Sequence, residues 1–122
     1  MTKRILVIDD DKQLRKLLKD ILSKASYDAE TAANAFQALE ILADNHFDLV
    51  LMDLMMPSMD GYELFSILRE DAATKNIPVI AVTALDDPRN KERIREIGFF
   101  AHVAKPFEME ELMAIVKKAL AT

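Results

Sequence analysis

The chain of 122 residues contains no cysteine, so disulfide bonds and metal sites built from thiolates are excluded. It also lacks any apolar run near the ~18 residues that a membrane span requires. After a basic start, only the four apolar residues at positions 5–8 precede a group of acids, which is too short for a signal-peptide core. From these absences we expect a soluble, cytoplasmic protein with no membrane partner.

The chain has no excess of positive charge. It carries 16 Lys and Arg against 21 Asp and Glu, for a net charge of −5. Nucleic acid is therefore not expected as a partner, because phosphate backbones are bound by clustered basic residues. We find no internal repeat, low-complexity tract or linker, and the length is typical of one domain of ~100–150 residues. We therefore predict a single domain over residues 1–122.

Short apolar segments alternate with segments of helical periodicity. Strands are predicted at residues 4–8, 28–32, 49–53, 78–83 and 100–104, the second of them from its position more than its composition. Between the first two strands, the apolar residues Leu14, Leu17, Leu18, Ile21 and Leu22 mark one face of a helix. The third and fourth strands are apolar without alternation, so both of their faces should be covered. The pattern predicts an α/β fold with a parallel sheet between two layers of helices.

The predicted helices carry residues that usually begin or end a helix. Asn34 is expected to cap the second helix, and Asp87 followed by Pro88 to begin the fourth. Gly98 is expected to stop the fourth helix. Gly61 opens the third helix, where we expect it to supply a conformationally permissive turn.

Polar side chains lie at the ends of four of the five predicted strands. They are Asp9, Asp10 and Asp11 after the first, Asp53 at the end of the third, Thr83 at the end of the fourth, where Ala84 follows, and Lys105 after the fifth, where Pro106 follows. Parallel sheets bind ligands at the carboxyl ends of their strands, so these groups should meet. Clustered carboxylates favour Mg²⁺, which prefers oxygen ligands. Such a cation and a lysine beside an aspartate nucleophile suit phosphoryl transfer.

Four motifs occur in order along the chain: "IDDD", a central aspartate followed by "LMMPSMDG", "VIAVTA" and "KPF". With these motifs at these spacings, the chain resembles the receiver domain of two-component response regulators over essentially its full length. The resemblance implies a doubly wound, flavodoxin-like sheet of five parallel strands in the order 2-1-3-4-5, with helices on both faces.

The resemblance also implies a phosphorylation site. Asp53 corresponds to the phosphoacceptor. Asp9 and Asp10 correspond to the magnesium-binding pair, with Asp53 and the backbone carbonyl of Met55 completing the protein ligands. Asp11 lies next to the pair and is expected to cap the first helix, where an acid also suits the helix dipole.

Other residues of the motifs imply supporting roles. Thr83 corresponds to the hydroxyl that bonds the phosphoryl oxygens. Ala84 is small and leaves room for the phosphoryl donor. Lys105 is expected to pair with Asp53 and then with the phosphoryl group. The Lys105–Pro106 bond is expected to be cis, as in the family.

The implied function is signal relay and not turnover of a substrate. A sensor histidine kinase or a phosphotransfer protein would phosphorylate Asp53, and the domain would catalyse only its own phosphorylation and dephosphorylation. The face built by the fourth helix, fifth strand and fifth helix would then bind an unknown downstream protein. We expect a monomer or weak dimer. The chain is either a stand-alone regulator or a domain of a larger hybrid kinase or regulator.

The sequence departs from the family pattern at a few positions. His102 stands where the family usually has Tyr or Phe. It either makes the same rotation or makes the output sensitive to pH, because an unperturbed histidine titrates near ~6.5. Phe99 follows Gly98 where the family often has Ala, and we interpret it as core or surface packing with no functional role. Met55 and Leu85 are apolar at positions that tune the phosphoryl lifetime, which predicts slow self-dephosphorylation.

Two rival functions share features with this sequence. A haloacid-dehalogenase-type phosphatase also uses an aspartate and magnesium, in a D-x-D-x-[TV] motif. Asp9 and Asp11 fit its acids, but Gln13 does not fit its last position and Asp53 stays unexplained. The second rival is a receiver fold that is never phosphorylated, and the full set of site residues argues against it.

Overall fold

A computed structural model of the protein describes residues 2–84 and 88–121, which form five strands and five helices in strict alternation. The strands are β1 (Arg4–Ile8), β2 (Asp28–Ala32), β3 (Leu49–Met52), β4 (Val79–Thr83) and β5 (Ala101–Ala104). The helices are α1 (Lys12–Lys24), α2 (Ala35–Asp44), α3 (Gly61–Glu70), α4 (Pro88–Ile97) and α5 (Met109–Leu120). Each predicted strand is confirmed to within one residue at either end. None of the described helices is both long and apolar enough to cross a membrane.

The strands form one parallel sheet in the order β2-β1-β3-β4-β5, as the resemblance implied. The chain moves outward from β1 to β2 and then crosses to β3 on the other side of β1. This reversal is the place where such sheets open a crevice for ligands. Ile8 at the end of β1 is paired with Met52 at the end of β3. Asp9 and Asp53, the residues that follow this pair, therefore lie next to each other at the carboxyl edge of the sheet.

Alternate residues of the strands are buried on opposite faces of the sheet. Leu6 and Ile8 of β1 pack into the core that also contains residues of α2, α3 and α4. Ile5 and Val7 pack into a second core with residues of α1 and α5. Each buried aliphatic side chain contributes about 1.5–3 kcal/mol to the free energy of folding relative to an exposed one. The two cores therefore stabilise the sheet from both faces. The predicted doubly wound α/β architecture is confirmed.

Side-chain oxygens cap three of the helices. Asp11, Asn34 and Asp60 accept hydrogen bonds from backbone N–H groups in the first turns of α1, α2 and α3. Two of these caps were predicted, and the cap at Asp60 was not. The predicted cap at Asp87 lies outside the described residues, although α4 does begin at Pro88.

The two glycines of the chain have different structural roles. Gly98 has a φ of 117° and ends α4, as predicted. The turn expected at Gly61 is wrong, because the φ of this residue is not in the left-handed region. A Cβ atom at Gly61 would instead lie 2.6 Å from the backbone oxygen of Asp53 and 2.8 Å from the Cα of Leu54. The missing side chain lets α3 begin directly against the backbone that carries Asp53.

Candidate functional site

Three carboxylates gather at the carboxyl edge of the sheet, where β1 and β3 end. Asp9, Asp10 and Asp53 each offer an oxygen atom, and these atoms all lie within 4.8 Å of one another. Asp9 is 3% exposed and Asp53 is 5% exposed, whereas Asp10 faces solvent. The structure thus brings together the acids that the strand ends predicted. Two of them are buried and one is accessible from outside.

Lys105 places an ammonium group against two of these acids. Its Nζ atom lies 2.8 Å from Oδ2 of Asp9 and 3.4 Å from Oδ2 of Asp53. The predicted contact with Asp53 is present, and the shorter contact with Asp9 was not predicted. The backbone N–H of Lys105 donates to the carbonyl of Thr83, which extends the pairing of β4 with β5 by one residue. The peptide bond between Lys105 and Pro106 is cis, as expected.

The ionisation of Lys105 follows from this position. Burial alone lowers the pKa of an ammonium group, because it disfavours the charged form. Here the hydrogen bond to Asp9 and the charges of Asp53 and Asp9 outweigh burial and raise the pKa of Lys105 above its ordinary value. The ammonium is therefore protonated wherever the two acids are ionised.

The negative charge of Asp53 is only partly compensated by its neighbours. Burial is the largest influence and raises the pKa of Asp53, and the nearby charge of Asp9 adds to the rise. The N–H of Met55, 3.1 Å from Oδ1, and the ammonium of Lys105 act in the opposite direction without cancelling it. One ammonium is shared between two carboxylates, so the site retains an attraction for a further cation.

Each of the four polar atoms of Asp9 has its own hydrogen-bond partner. Its N–H donates to the carbonyl of Ala32 at 3.1 Å, and its Oδ1 accepts the N–H of Asp11 at 2.9 Å. Its Oδ2 accepts Lys105, and its backbone oxygen accepts Nη1 of Arg15 at 2.8 Å. Sequence reasoning missed Arg15, because no motif links an arginine on the first helix to a carbonyl at the end of a strand.

Asp11 does not join the carboxylate cluster. Its Oδ1 accepts the N–H groups of Gln13 at 3.0 Å and Leu14 at 3.2 Å, which caps α1 as predicted. The phosphatase alternative requires Asp11 beside Asp9 in the site. Among the described residues, the acids that meet Asp9 are Asp10 and Asp53. The geometry therefore does not favour that alternative.

The residues at the ends of β4 and β5 occupy the other side of the site. Thr83 is completely buried and is paired with Ala104, and Ala84 next to it is exposed. His102 lies within β5 opposite Ala81. Its Nε2 atom is buried and has no hydrogen-bond partner in the described part of the chain. Both hypotheses for His102, a rotating ring and a pH-sensitive output, stay predictions.

A groove of about 640 Å³ separates α4 from β5, next to His102. Its walls combine aromatic and charged side chains, among them Phe100 and Arg95. The groove lies on the face that the resemblance implied for partner binding.

Phe99 packs in the core, whereas the sequence left core and surface packing open. It is 6% exposed, and its ring stacks on that of Phe65 with centroids 4.0 Å apart. Its other neighbour is Tyr62, edge-on at 6.3 Å, and the guanidinium of Arg93 lies 3.9 Å above the ring of Tyr62. These contacts tie α4 to α3, and sequence reasoning did not foresee them.

Of the two residues expected to affect the phosphoryl lifetime, Leu85 lies outside the described residues. Met55 is 59% exposed, and its backbone N–H is bonded to the carboxylate of Asp53. The role of its carbonyl as a metal ligand stays a prediction.

A parallel sheet in this order, with three acids and a lysine at its carboxyl edge, defines the receiver class of signalling domains. Comparison with known proteins gives the family. Residues 5–117 match the model of the response regulator receiver domain, and the chain belongs to this family. The protein is thus a receiver of two-component signalling, a family whose domains are phosphoacceptor switches.

Relatives and solved structures agree with this assignment. The chain is 35% identical over 114 residues to Protein PilG of Pseudomonas aeruginosa, covering 93% of this chain and 84% of that protein. It is 32% identical over 120 residues to the polar-differentiation response regulator DivK of Brucella ovis, covering 98% of each. The crystal structure of a putative response regulator from Chloroflexus aurantiacus superimposes with a TM-score of 0.93 at 34% identity, covering all of both chains.

Proposed function

We propose that this receiver accepts a phosphoryl group on Asp53 from the phosphohistidine of a sensor histidine kinase or a phosphotransfer protein. The observation that carries the proposal is the buried carboxylate of Asp53 beside Asp9, Asp10 and the ammonium of Lys105. In the transfer, a carboxylate oxygen of Asp53 attacks phosphorus and forms the new O–P bond. The N–P bond of the donor breaks, and its electron pair stays on the imidazole.

The donor set fits Mg²⁺. The three carboxylates supply hard oxygen atoms within 4.8 Å of one another, and exposed Asp10 leaves a path from solvent. Asp9, Asp10 and Asp53 would hold the ion together with the backbone carbonyl of Met55. Bound Mg²⁺ would neutralise charge on the phosphoryl oxygens during transfer.

Lys105 and Thr83 would contact the phosphoryl group, and Ala84 would leave room for the donor. Lys105 already contacts Asp53, so a short movement of its flexible side chain would bring the ammonium to the phosphoryl oxygens. Thr83 ends the neighbouring strand and would bond a phosphoryl oxygen through its hydroxyl. Exposed Ala84 keeps the entrance clear for the donor. With these parts the domain catalyses its own phosphorylation and dephosphorylation and no other reaction.

The output would be carried by the face built from α4, β5 and α5. Thr83 and His102 lie on adjacent strands, and His102 borders the groove between α4 and β5. A change at Thr83 would thus reach this groove over a short distance. We propose a protein as the downstream partner and not nucleic acid, in keeping with the net charge of −5. A single domain over residues 1–122, a cytoplasmic location and a monomer or weak dimer belong to the same proposal.

The test is phosphorylation by acetyl phosphate with Mg²⁺, followed by intact mass. The wild type should gain one phosphoryl group, and Asp53→Asn should gain none. Asp60→Asn is the matched control, because Asp60 caps α3 on the same loop and asparagine also caps helices. It should be labelled like the wild type.

A turnover assay on small phosphomonoesters, together with the mass measurement, separates the rival functions. A phosphatase would release phosphate from small phosphomonoesters over many turnovers, whereas a receiver forms one adduct per chain. No mass gain in the wild type, under conditions that label a known receiver, would favour a fold that is never phosphorylated. Retention of the gain in Asp53→Asn would place the acceptor elsewhere.

A further inference from the structure

Arg15 connects the start of α1 to the end of β1. Its Nη1 atom donates a hydrogen bond of 2.8 Å to the backbone oxygen of Asp9, six residues earlier in the chain. The side chain is half-buried, unlike those of its neighbours Lys12 and Lys16, which are exposed. Arg15 therefore spans the whole turn that carries the three consecutive acids.

The bond completes the surroundings of a buried residue. Asp9 is 3% exposed, and a buried backbone oxygen without a partner is costly. A charged donor such as a guanidinium gives a stronger bond than a neutral one. The N–H of Asp9 is held by β2, and its carboxylate is held by Asp11 and Lys105. Arg15 holds the remaining polar atom and so limits rotation of the peptide that follows Asp9.

We propose that Arg15 is a positioning residue that fixes the Asp9–Asp11 turn in the geometry that binds Mg²⁺. The inference rests on the proposed magnesium site. It assigns Arg15 no contact with the ion or the phosphoryl group. Its effect is exerted through the backbone of Asp9, whose carboxylate belongs to the metal-binding cluster.

The charge of Arg15 and its hydrogen bond to Asp9 should change the affinity for Mg²⁺ in opposite directions. A cation near three carboxylates repels Mg²⁺, so loss of the arginine charge alone would strengthen metal binding. Loss of the hydrogen bond would free the turn and weaken metal binding. Partners that orient metal ligands typically change metal affinity about 10–100-fold when removed, so positioning is expected to dominate.

The experiment measures Mg²⁺ affinity by calorimetry for the wild type, Arg15→Gln and Lys16→Gln. Lys16→Gln is the matched control, because it removes the same charge from the adjacent, exposed position of α1. Arg15→Gln should bind Mg²⁺ about tenfold more weakly than the wild type. Lys16→Gln should bind it equally or slightly more tightly. Equal or tighter binding by Arg15→Gln relative to Lys16→Gln would overturn the proposal.

A second variant and thermal unfolding separate positioning from general stability. Arg15→Lys keeps the charge and one donor nitrogen, which suffices for a single hydrogen bond. Its affinity for Mg²⁺ should therefore be closer to that of the wild type than to that of Arg15→Gln. A loss as large as in Arg15→Gln would argue against the hydrogen bond. A lower Tm in Arg15→Gln with unchanged Mg²⁺ affinity would show a purely structural role and overturn the proposal.

A metal-free measurement keeps the inference distinct from the proposed function. The N–H of Asp11 donates to Asp9, so its hydrogen exchange reports how firmly the turn is held. Exchange should be about tenfold faster in Arg15→Gln and unchanged in Lys16→Gln. If the wild type binds no Mg²⁺, the proposed function fails, and the exchange rates still decide whether Arg15 holds the turn. Equal exchange in Arg15→Gln and the wild type would refute the inference.

Discussion

Lys105 and Asp9 form an ion pair in which Nζ lies 2.8 Å from Oδ2, with the carboxylate almost fully buried. The same ammonium lies 3.4 Å from Asp53, so the acid proposed as phosphoacceptor is the more loosely held of the two. The side chain of Lys105 is anchored through Asp9, and we expect it to approach a phosphoryl group on Asp53 without leaving this first partner. One ammonium shared between two buried carboxylates also leaves net negative charge for a metal ion to neutralise.

Removal of this ammonium should destabilise the metal-free protein. Lys105→Met leaves two buried carboxylates without their cation, and we expect the free energy of unfolding in EDTA to fall by about 2 kcal/mol. Urea titration measures the change. Mg²⁺ should restore more stability to the variant than it adds to the wild type, because the ion replaces the missing charge. Lys117→Met, at an exposed position of α5, is the control, and equal stability of the two variants in EDTA would contradict the prediction.

Asp53→Asn should stabilise the metal-free protein at neutral pH. Burial raises the pKa of Asp53 above its ordinary value of 3.8, so the folded state favours the neutral carboxyl. That favourable contribution is complete below 3.8 and is lost as the pH rises through the folded-state pKa. Asparagine carries no charge, so the gain in free energy of unfolding should be largest at pH 7 and shrink as the pH falls towards 3.8.

Urea titrations in EDTA across this pH range test the sign. Asp20→Asn, at an exposed position of α1, reports the effect of net charge alone. The prediction would be contradicted if the gain in free energy of unfolding of Asp53→Asn stayed constant with pH. It would also be contradicted if the gain equalled that of Asp20→Asn, because net charge alone would then explain it.

The exposed thioether of Met55 should make the phosphoryl group long-lived. The backbone N–H of Met55 is bonded to Asp53, and its exposed side chain has no polar group able to orient an attacking water molecule. Met55→Asn supplies a polar group there, and we expect the half-life of the phosphorylated protein to shorten about tenfold, equivalent to ~1.4 kcal/mol of barrier. Phosphate release after removal of the donor gives the rate. Met55→Leu keeps an apolar side chain and should decay like the wild type, and a wild-type half-life of seconds would refute the prediction.

His102→Phe should raise the stability of the fold. The Nε2 atom of His102 is buried without a hydrogen-bond partner among the described residues, which costs free energy relative to an apolar ring. We expect an increase of about 1 kcal/mol in the free energy of unfolding, measured in urea at pH 7.5. His46→Phe is the control, because His46 is exposed and its replacement should bring no gain. A loss of stability in His102→Phe would show that the nitrogen is satisfied in solution.

Much of the fold could be predicted because its signals are local. Runs of apolar residues marked four of the five strands to within one residue, and the second strand, residues 28–32, was predicted from its position more than its composition. Asp11 and Asn34 were predicted as caps from their positions before helical segments. The meeting of Asp9, Asp53 and Lys105 also followed from the sequence, since parallel strands end at one edge of a sheet.

The amino-acid sequence by itself thus determined the α/β alternation, the family and the set of acids and cations at the site. Only the tertiary structure decided how those groups are paired. That Lys105 lies closer to Asp9 than to Asp53, that Arg15 holds the Asp9 carbonyl and that Gly61 makes room for the backbone of Asp53 all depend on distances of a few ångströms. Such distances are set by the packing of α1, α3 and β5 around the sheet edge, and no periodicity or motif encodes them.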